Sequence, residues 1–152
     1  MNGARLRGEL KKLRENKVNG IRLIANEDNL FDWTCILDGP DGTPYQGGTY
    51  VVKLRIPPDY PFHPPKAFFE TKIFHPNIDY TNGSVCLNIL KSEWSPRWGL
   101  ESVAVSIQAM LSMPNDESPL NCDAANLLRS GDNEAYNSMA ALINRLYAMN
   151  SS

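Results

Sequence analysis

Residues His75–Trp98 read HPNIDYTNGSVCLNILKSEWSPRW, and neither a helical nor a strand period persists through them. The stretch is nonetheless apolar and rich in tryptophan, and a loop of that length inside a compact domain is normally functional. Asn82-Gly83 marks a turn, and the apolar run Val85–Leu90 just after it is broken only by Asn88. Cys86 sits in that run, where a cysteine is usually a small buried hydrophobe. Asn77, nine positions earlier, changes the reading. A side-chain amide can donate a hydrogen bond to the oxyanion that forms when a thioester carbonyl is attacked. The pair points to a thiol that carries an acyl group and a donor that stabilises its transfer. Ordering of the loop is the other role open to Asn77.

Working outward, the segments upstream read as strands joined by turns. Ile21–Ala25 is a short strand, and Phe31–Leu37 alternates Phe31, Trp33, Cys35 and Leu37 on one face, which makes Cys35 a core residue. Thr49–Ile56 alternates Tyr50, Val52, Leu54 and Ile56, and Lys66–Thr71 is a short fourth strand. Strands with no intervening helix imply an antiparallel meander. Pro57–Pro65 holds five prolines in nine residues and must be a stiff, extended surface loop. Ahead of the strands, Ala4–Asn16 reads as a helix with a Leu6, Leu10, Leu13 stripe, closed by Asn19-Gly20.

Downstream, helical patterning resumes at Leu100–Met113, with Leu100, Val103, Ala104, Ile107 and Leu111 facing inward. A short helix over Asn121–Arg129 ends at Ser130-Gly131, and a last helix spans Asp132–Met149. Its Tyr136, Met139, Ala140, Ile143, Leu146 and Tyr147 form a stripe that reads as core. The expected fold class is α+β: an N-terminal helix, a four-stranded antiparallel meander sheet, an irregular active-site segment, then C-terminal helices.

At 152 residues the chain, 1–152, is expected to form a single domain that buries about 68–70% of the surface its unfolded form exposes. Its 42% hydrophobic and 21% charged residues are those of an ordinary soluble protein, and a net charge of −2 gives no reason to expect nucleic acid as a partner. Basic residues are concentrated locally, as Arg5, Arg7, Lys11, Lys12, Arg14 and Lys17; by itself such a run is a solvated helix face. Cys35, Cys86 and Cys122 form no Cys-x-x-Cys pair, and an odd count argues against a complete disulfide framework. His63 and His75 are not at metal-ligand spacing, so no metal site is expected. No stretch approaches the roughly 20 apolar residues of a membrane span, and no signal-peptide pattern opens the chain. A reducing, cytosolic setting is expected.

His75-Pro76-Asn77, then Cys86, then Trp94-Ser95-Pro96 resembles the active-site signature of ubiquitin-conjugating enzymes. Tyr60-Pro61-Phe62-His63-Pro64-Pro65 is similar to that family's proline-rich stretch, and Ser118-Pro119-Leu120 sits where its gate loop falls. The likeness spans essentially the whole chain. It implies the ubiquitin-conjugating fold, with Cys86 accepting ubiquitin from the activating enzyme as a thioester and passing it, with a ligase, to a protein substrate. It implies no cofactor, since ATP is used by the activating enzyme. His75, Asn88 and Ser118 would support the active-site loop, His75 by hydrogen bonding. Phe62, Ser95, Pro96 and Arg97 would bind a RING-type ligase, and Arg5, Lys11, Lys12 and Arg14 the acidic surface of the activating enzyme. Trp94 and Trp98 are expected to be packing residues.

Three features look like the peroxisomal branch of the family, whose members attach ubiquitin to the recycling import receptor. They are the spacing from Asn77 to Cys86, Trp98 after Ser95-Pro96-Arg97, and the run from Ser118 to Asp132. The branch implies a peroxisomal membrane-anchor protein as partner, and recruitment from the cytoplasm to the cytosolic face of peroxisomes. Two departures bear on the acceptor. Many relatives carry an aspartate where this chain has Asn88, and another where it has Ser118; both are thought to help an incoming lysine. Their absence favours a cysteine acceptor, although Asp116 and Glu117 lie alongside. The rival readings are a conjugating enzyme of another branch or for a ubiquitin-like modifier, a cysteine hydrolase with His75 as base, and a non-catalytic ubiquitin-binding variant.

Overall fold

The computed structural model describes residues 2–15, 17–115 and 118–149. Asn16, the expected end of the first helix, and Asp116 and Glu117, the expected acidic neighbours of Ser118, lie outside the described residues.

Helix α1 (Asn2–Glu15) places Lys12 and Arg14 in its last turn, where cations meet the negative end of the helix dipole. Its leucine stripe docks as the spacing predicts, with Leu6 fully buried and Leu10 and Leu13 packed beside it. Strands β1 (Ile21–Asn26), β2 (Asn29–Asp38), β3 (Thr49–Arg55) and β4 (Lys66–Phe69) pair antiparallel in the order β1-β2-β3-β4. Every strand pairs with its neighbour in the chain, which is the expected meander. Cross-strand partners Trp33 and Leu54, Cys35 and Val52, and Leu37 and Tyr50 are all buried, so the two strands present one continuous apolar face. Burial pushes the Cys35 thiol up to about 12, so it is an inert core group. Helix α2 (Leu100–Ser112) covers that face with Leu100, Val103, Ala104, Ile107, Met110 and Leu111. Helices α3 (Cys122–Arg129) and α4 (Asn133–Ile143) come next, capped by the side chains of Asn121 and Asp132.

Apart from shifts of one or two residues at the ends of other elements, three departures from the sequence pattern stand out. Strand β4 stops at Phe69 rather than Thr71, because Thr71 offers its hydroxyl, not its backbone, to Val51 N at 3.0 Å. The last helix does not run unbroken to Met149: α4 gives way to one π-helical turn, Asn144–Ala148. Buried Asn144 accepts the Tyr50 hydroxyl and donates Nδ2 to Gln46 O at 3.1 Å. The wider turn rotates the side chains beyond Asn144, so Leu146 and Tyr147 are exposed, as is Met139 at the rim of the stripe; Tyr136 and Ala140 remain core. Trp98, expected to pack, is 42% exposed.

Candidate active site

The irregular segment is built on a hairpin arm that Asn82-Gly83 closes. Asp79 N donates to Ser84 O at 2.9 Å, Ile78 and Val85 form an antiparallel bridge, and Cys86 N donates to Asn77 O at 2.8 Å. The spacing from Asn77 to Cys86 is therefore the span of a hairpin that sets the two residues opposite each other. The arm lies along the free edge of β4, through Phe69 N to Gly83 O at 2.8 Å, Val85 N to Ala67 O at 3.3 Å and a Phe68–Ser84 bridge. Gly83 is required at that junction. Its φ is +77°, and a Cβ would meet Phe69 O at 2.0 Å.

Behind the arm, His75 is fully buried. Its Nδ1 accepts from Asn77 N at 3.1 Å and its Nε2 lies 2.9 Å from Met110 O, so the ring is a neutral imidazole with the proton on Nε2. Burial lowers its pKa from 6.5 to about 4, against the opposing pull of the Met110 carbonyl. With both nitrogens engaged, His75 offers no lone pair to Cys86, which removes the general base a cysteine hydrolase would need.

Asn77 is also buried, and its amide makes a two-way bridge to the backbone of Asn115: Nδ2 donates to Asn115 O at 2.7 Å, and Oδ1 accepts from Asn115 N at 2.9 Å. Pro76 O accepts from both Leu120 N at 2.8 Å and Asn121 N at 3.1 Å. The loop that carries Ser118 is thus fastened to His75-Pro76-Asn77 on both sides. Ser118 is exposed with φ +50°, a left-handed conformation that side chains rarely adopt.

Cys86 is half-buried at the open end of the arm. Lys91 Nζ donates to its Sγ at 3.0 Å, brought there by the short 3₁₀ turn Asn88–Leu90 and the bond from Lys91 N to Asn88 O at 3.0 Å. Asn88 itself is exposed. A reachable thiol, a buried amide on the residue paired with it across the hairpin and an adjacent ammonium make a site for acyl transfer through sulfur. Among the described residues no helix is long and apolar enough to cross a membrane.

Residues 5–143 match the family model described as ubiquitin-conjugating enzyme. The chain belongs to the ubiquitin-conjugating enzyme family. It is 48% identical to Protein PEROXIN-4 of Arabidopsis thaliana, across 96% of this chain and 94% of that protein. It is 45% identical to ubiquitin-conjugating enzyme E2 pex4 of Dictyostelium discoideum, across 95% and 97%. Among solved structures, the E2 domain of a Toxoplasma gondii ubiquitin-conjugating enzyme superposes with a TM-score of 0.89 at 36% identity, covering 97% of this chain and 99% of that one. The chain is accordingly a transferase of the ubiquitin pathway, whose members work with ubiquitin, an activating enzyme and a ligase.

In this conjugating enzyme the residues expected to meet the ligase and those expected to meet the activating enzyme lie side by side. Phe62 is 71% exposed on the proline-stiffened loop. Behind it, Trp94 Nε1 donates to Pro61 O at 2.8 Å, joining that loop to the Trp94–Trp98 corner, where Pro96 and Arg97 are exposed and Ser95 half-buried. Lys11, Lys12 and Arg14 are exposed on α1. Arg5 is not a free surface cation. It donates Nε to Glu9 Oε2 at 2.9 Å and Nη2 to Trp98 O at 2.7 Å, so it ties α1 to the corner. Arg5, Lys12, Pro96 and Arg97 line one groove. Two partners of the site, Asn115 and Glu9, carried no signal in the sequence. Asn115 acts through its backbone, and Glu9 has the look of any helix-surface carboxylate.

Proposed function

We propose that Cys86 is the residue of this conjugating enzyme that carries ubiquitin. The Cys86 thiolate attacks the thioester carbonyl that joins ubiquitin to the activating enzyme, and the activating enzyme's sulfur leaves with the bonding pair. The acceptor nucleophile later displaces Cys86 Sγ in the same way. The hairpin pairing of Cys86 N with Asn77 O is the observation that carries this reading, because it pairs the residue that bears the thiol with the residue that bears the buried amide. An amide nitrogen bears two protons, and Asn77 spends one on Asn115 O; the second is the donor we assign to the oxyanion. ATP is spent by the activating enzyme, and this chain needs no cofactor of its own.

The names of the Arabidopsis and Dictyostelium relatives support a peroxisomal role. In this reading the enzyme is recruited from the cytoplasm to the cytosolic face of peroxisomes by a membrane-anchor protein. There, with a RING-type ligase held at Phe62, Ser95, Pro96 and Arg97, it modifies an import receptor. Lys11, Lys12 and Arg14 meet the activating enzyme. The test is to mix the chain with activating enzyme, ATP and ubiquitin and run the products with and without thiol reductant. A reductant-sensitive ubiquitin adduct is expected. A reductant-resistant adduct as the first product, or none, would contradict the thioester.

A further inference from the structure

Helix α2 begins at a residue that cannot cap it. Its N-cap is Gly99, which has no side chain, and the backbone N–H of Leu100 at the first helical position needs an acceptor from elsewhere. That acceptor is Glu9 of α1, whose Oε1 lies 2.7 Å from Leu100 N. A Cβ at position 99 would stand 2.7 Å from the same oxygen, so the glycine leaves room for the carboxylate. The other carboxylate oxygen, Oε2, accepts from Tyr60 OH at 2.6 Å and from Arg5 Nε at 2.9 Å. Tyr60 is fully buried, and its ring lies 6.0 Å from that of Trp94. One carboxylate therefore grips both loops of the ligase-facing surface. It reaches the Pro57–Pro65 loop through Tyr60, and the Trp94–Trp98 corner through Leu100 and through Arg5 on Trp98 O.

We infer that Glu9 is a positioning residue for ligase-stimulated transfer. It sets the relative placement of Phe62 and the Trp94–Trp98 corner while touching neither the ligase nor the reacting thioester. The inference rests on the reading of those two loops as the ligase surface. The geometry explains why a half-buried carboxylate is suited to the task. Its two oxygens accept three donors from three segments, and an exposed anchor such as Phe62 binds well only if it is already held in place. A neutral amide of the same shape offers one accepting oxygen and cannot hold all three donors.

The test uses full-length chain charged to completion before ligase is added, so any effect on charging drops out. Discharge is then measured against the concentration of a purified RING domain chosen because it accelerates discharge of the wild-type thioester. Glu9→Gln keeps the size of the side chain and is the primary variant; Tyr60→Phe removes one of the three bonds. For Glu9→Gln we expect the half-saturating concentration of the RING domain to rise about tenfold, with the limiting rate within about twofold of wild type. For Tyr60→Phe we expect a smaller rise, about threefold. Amide exchange at Leu100 N and at the Trp94 indole N–H should quicken in Glu9→Gln, which reports the loops directly. Phe62→Ala separates the two layers of the claim. If Phe62→Ala raises the half-saturating concentration and Glu9→Gln does not, Glu9 has no positioning role. If Phe62→Ala leaves it unchanged, the loops are not the ligase surface, and the inference falls with that reading.

Discussion

His75 stays neutral in the folded protein because it is buried and its two nitrogens are already spent on Asn77 N and Met110 O. Between pH 6.5 and about 4 the unfolded chain binds a proton there that the folded chain does not. Stability must then rise with pH through that window: the contribution is complete above about 6.5 and is lost as pH falls toward 4, by roughly 3 kcal/mol in all. Denaturant midpoints for wild type and His75→Gln should diverge across this window, with the wild type losing more stability on acidification; parallel profiles would contradict a neutral buried imidazole. Asn77 carries two jobs, and its bridge to Asn115 is the one visible in hydrogen bonds. Asn77→Ala should cost about 1–3 kcal/mol of stability for the backbone groups it abandons. It should also slow discharge of the preformed thioester by about a hundredfold if the oxyanion assignment holds. A variant that loses stability yet discharges at the wild-type rate would leave Asn77 with loop ordering alone. At Asn88 and Ser118 the question is the acceptor. A lysine near pKa 10.4 is harder to deprotonate than a thiol near 8.5, a difference of roughly 2.6 kcal/mol that carboxylates at these positions would offset. Asn88→Asp and Ser118→Asp should raise the rate with free lysine relative to free cysteine by up to about tenfold, in discharge assays from pH 7 to 9. An unchanged ratio would mean these positions do not set acceptor choice.

At the scale of elements, alternation made β2 and β3 readable, since Trp33, Cys35, Leu37, Tyr50, Val52 and Leu54 are buried on the face their period assigns. The same reasoning overreached in the last helix. A stripe counted at helical spacing assumes 3.6 residues per turn throughout, and the π turn at Asn144 breaks that count. Nothing in the run of residues announces the break, because its cause lies elsewhere in the chain: the Tyr50 hydroxyl and Gln46 carbonyl draw Asn144 inward. Gly48 makes the space, as a Cβ there would meet Asn144 Oδ1 at 2.0 Å. Asn144→Ala should therefore cost about 1–3 kcal/mol for each of the two polar groups left without it, read from the shift in urea midpoint. A substitution tolerated within about 0.5 kcal/mol would show that the π turn does not depend on this residue. The hairpin arm is the opposite case. Asn82-Gly83 was readable as a turn, but the docking of the arm on β4 was not, since it runs through the backbone of Ala67 and Phe69.

Over the whole molecule, the site is a place where backbone pairings from distant segments converge on one thiol. The arm on β4 sets Cys86 opposite Asn77, α2 receives the His75 proton through Met110 O, and the loop ahead of α3 hangs from Pro76 O. This division explains which residues of the candidate site and its neighbouring surface were legible in the sequence. Cys86, Asn77 and Phe62 stand out by chemical type and motif, whereas Asn115, Pro76 O and Glu9 act through backbone or through a capping role that only the fold creates. Lys91 is intermediate. It lies five residues after Cys86, but its 3.0 Å contact with Sγ depends on the 3₁₀ turn between them. The most direct test of the central claim is the intact mass of Cys86→Ser after incubation with activating enzyme, ATP and ubiquitin, combined with peptide mapping. The account predicts one added ubiquitin, linked at position 86 as an ester that resists thiol reductant and is cleaved by mild base. A reducible adduct that instead maps to Cys35 or Cys122 and survives in Cys86→Ala would contradict it.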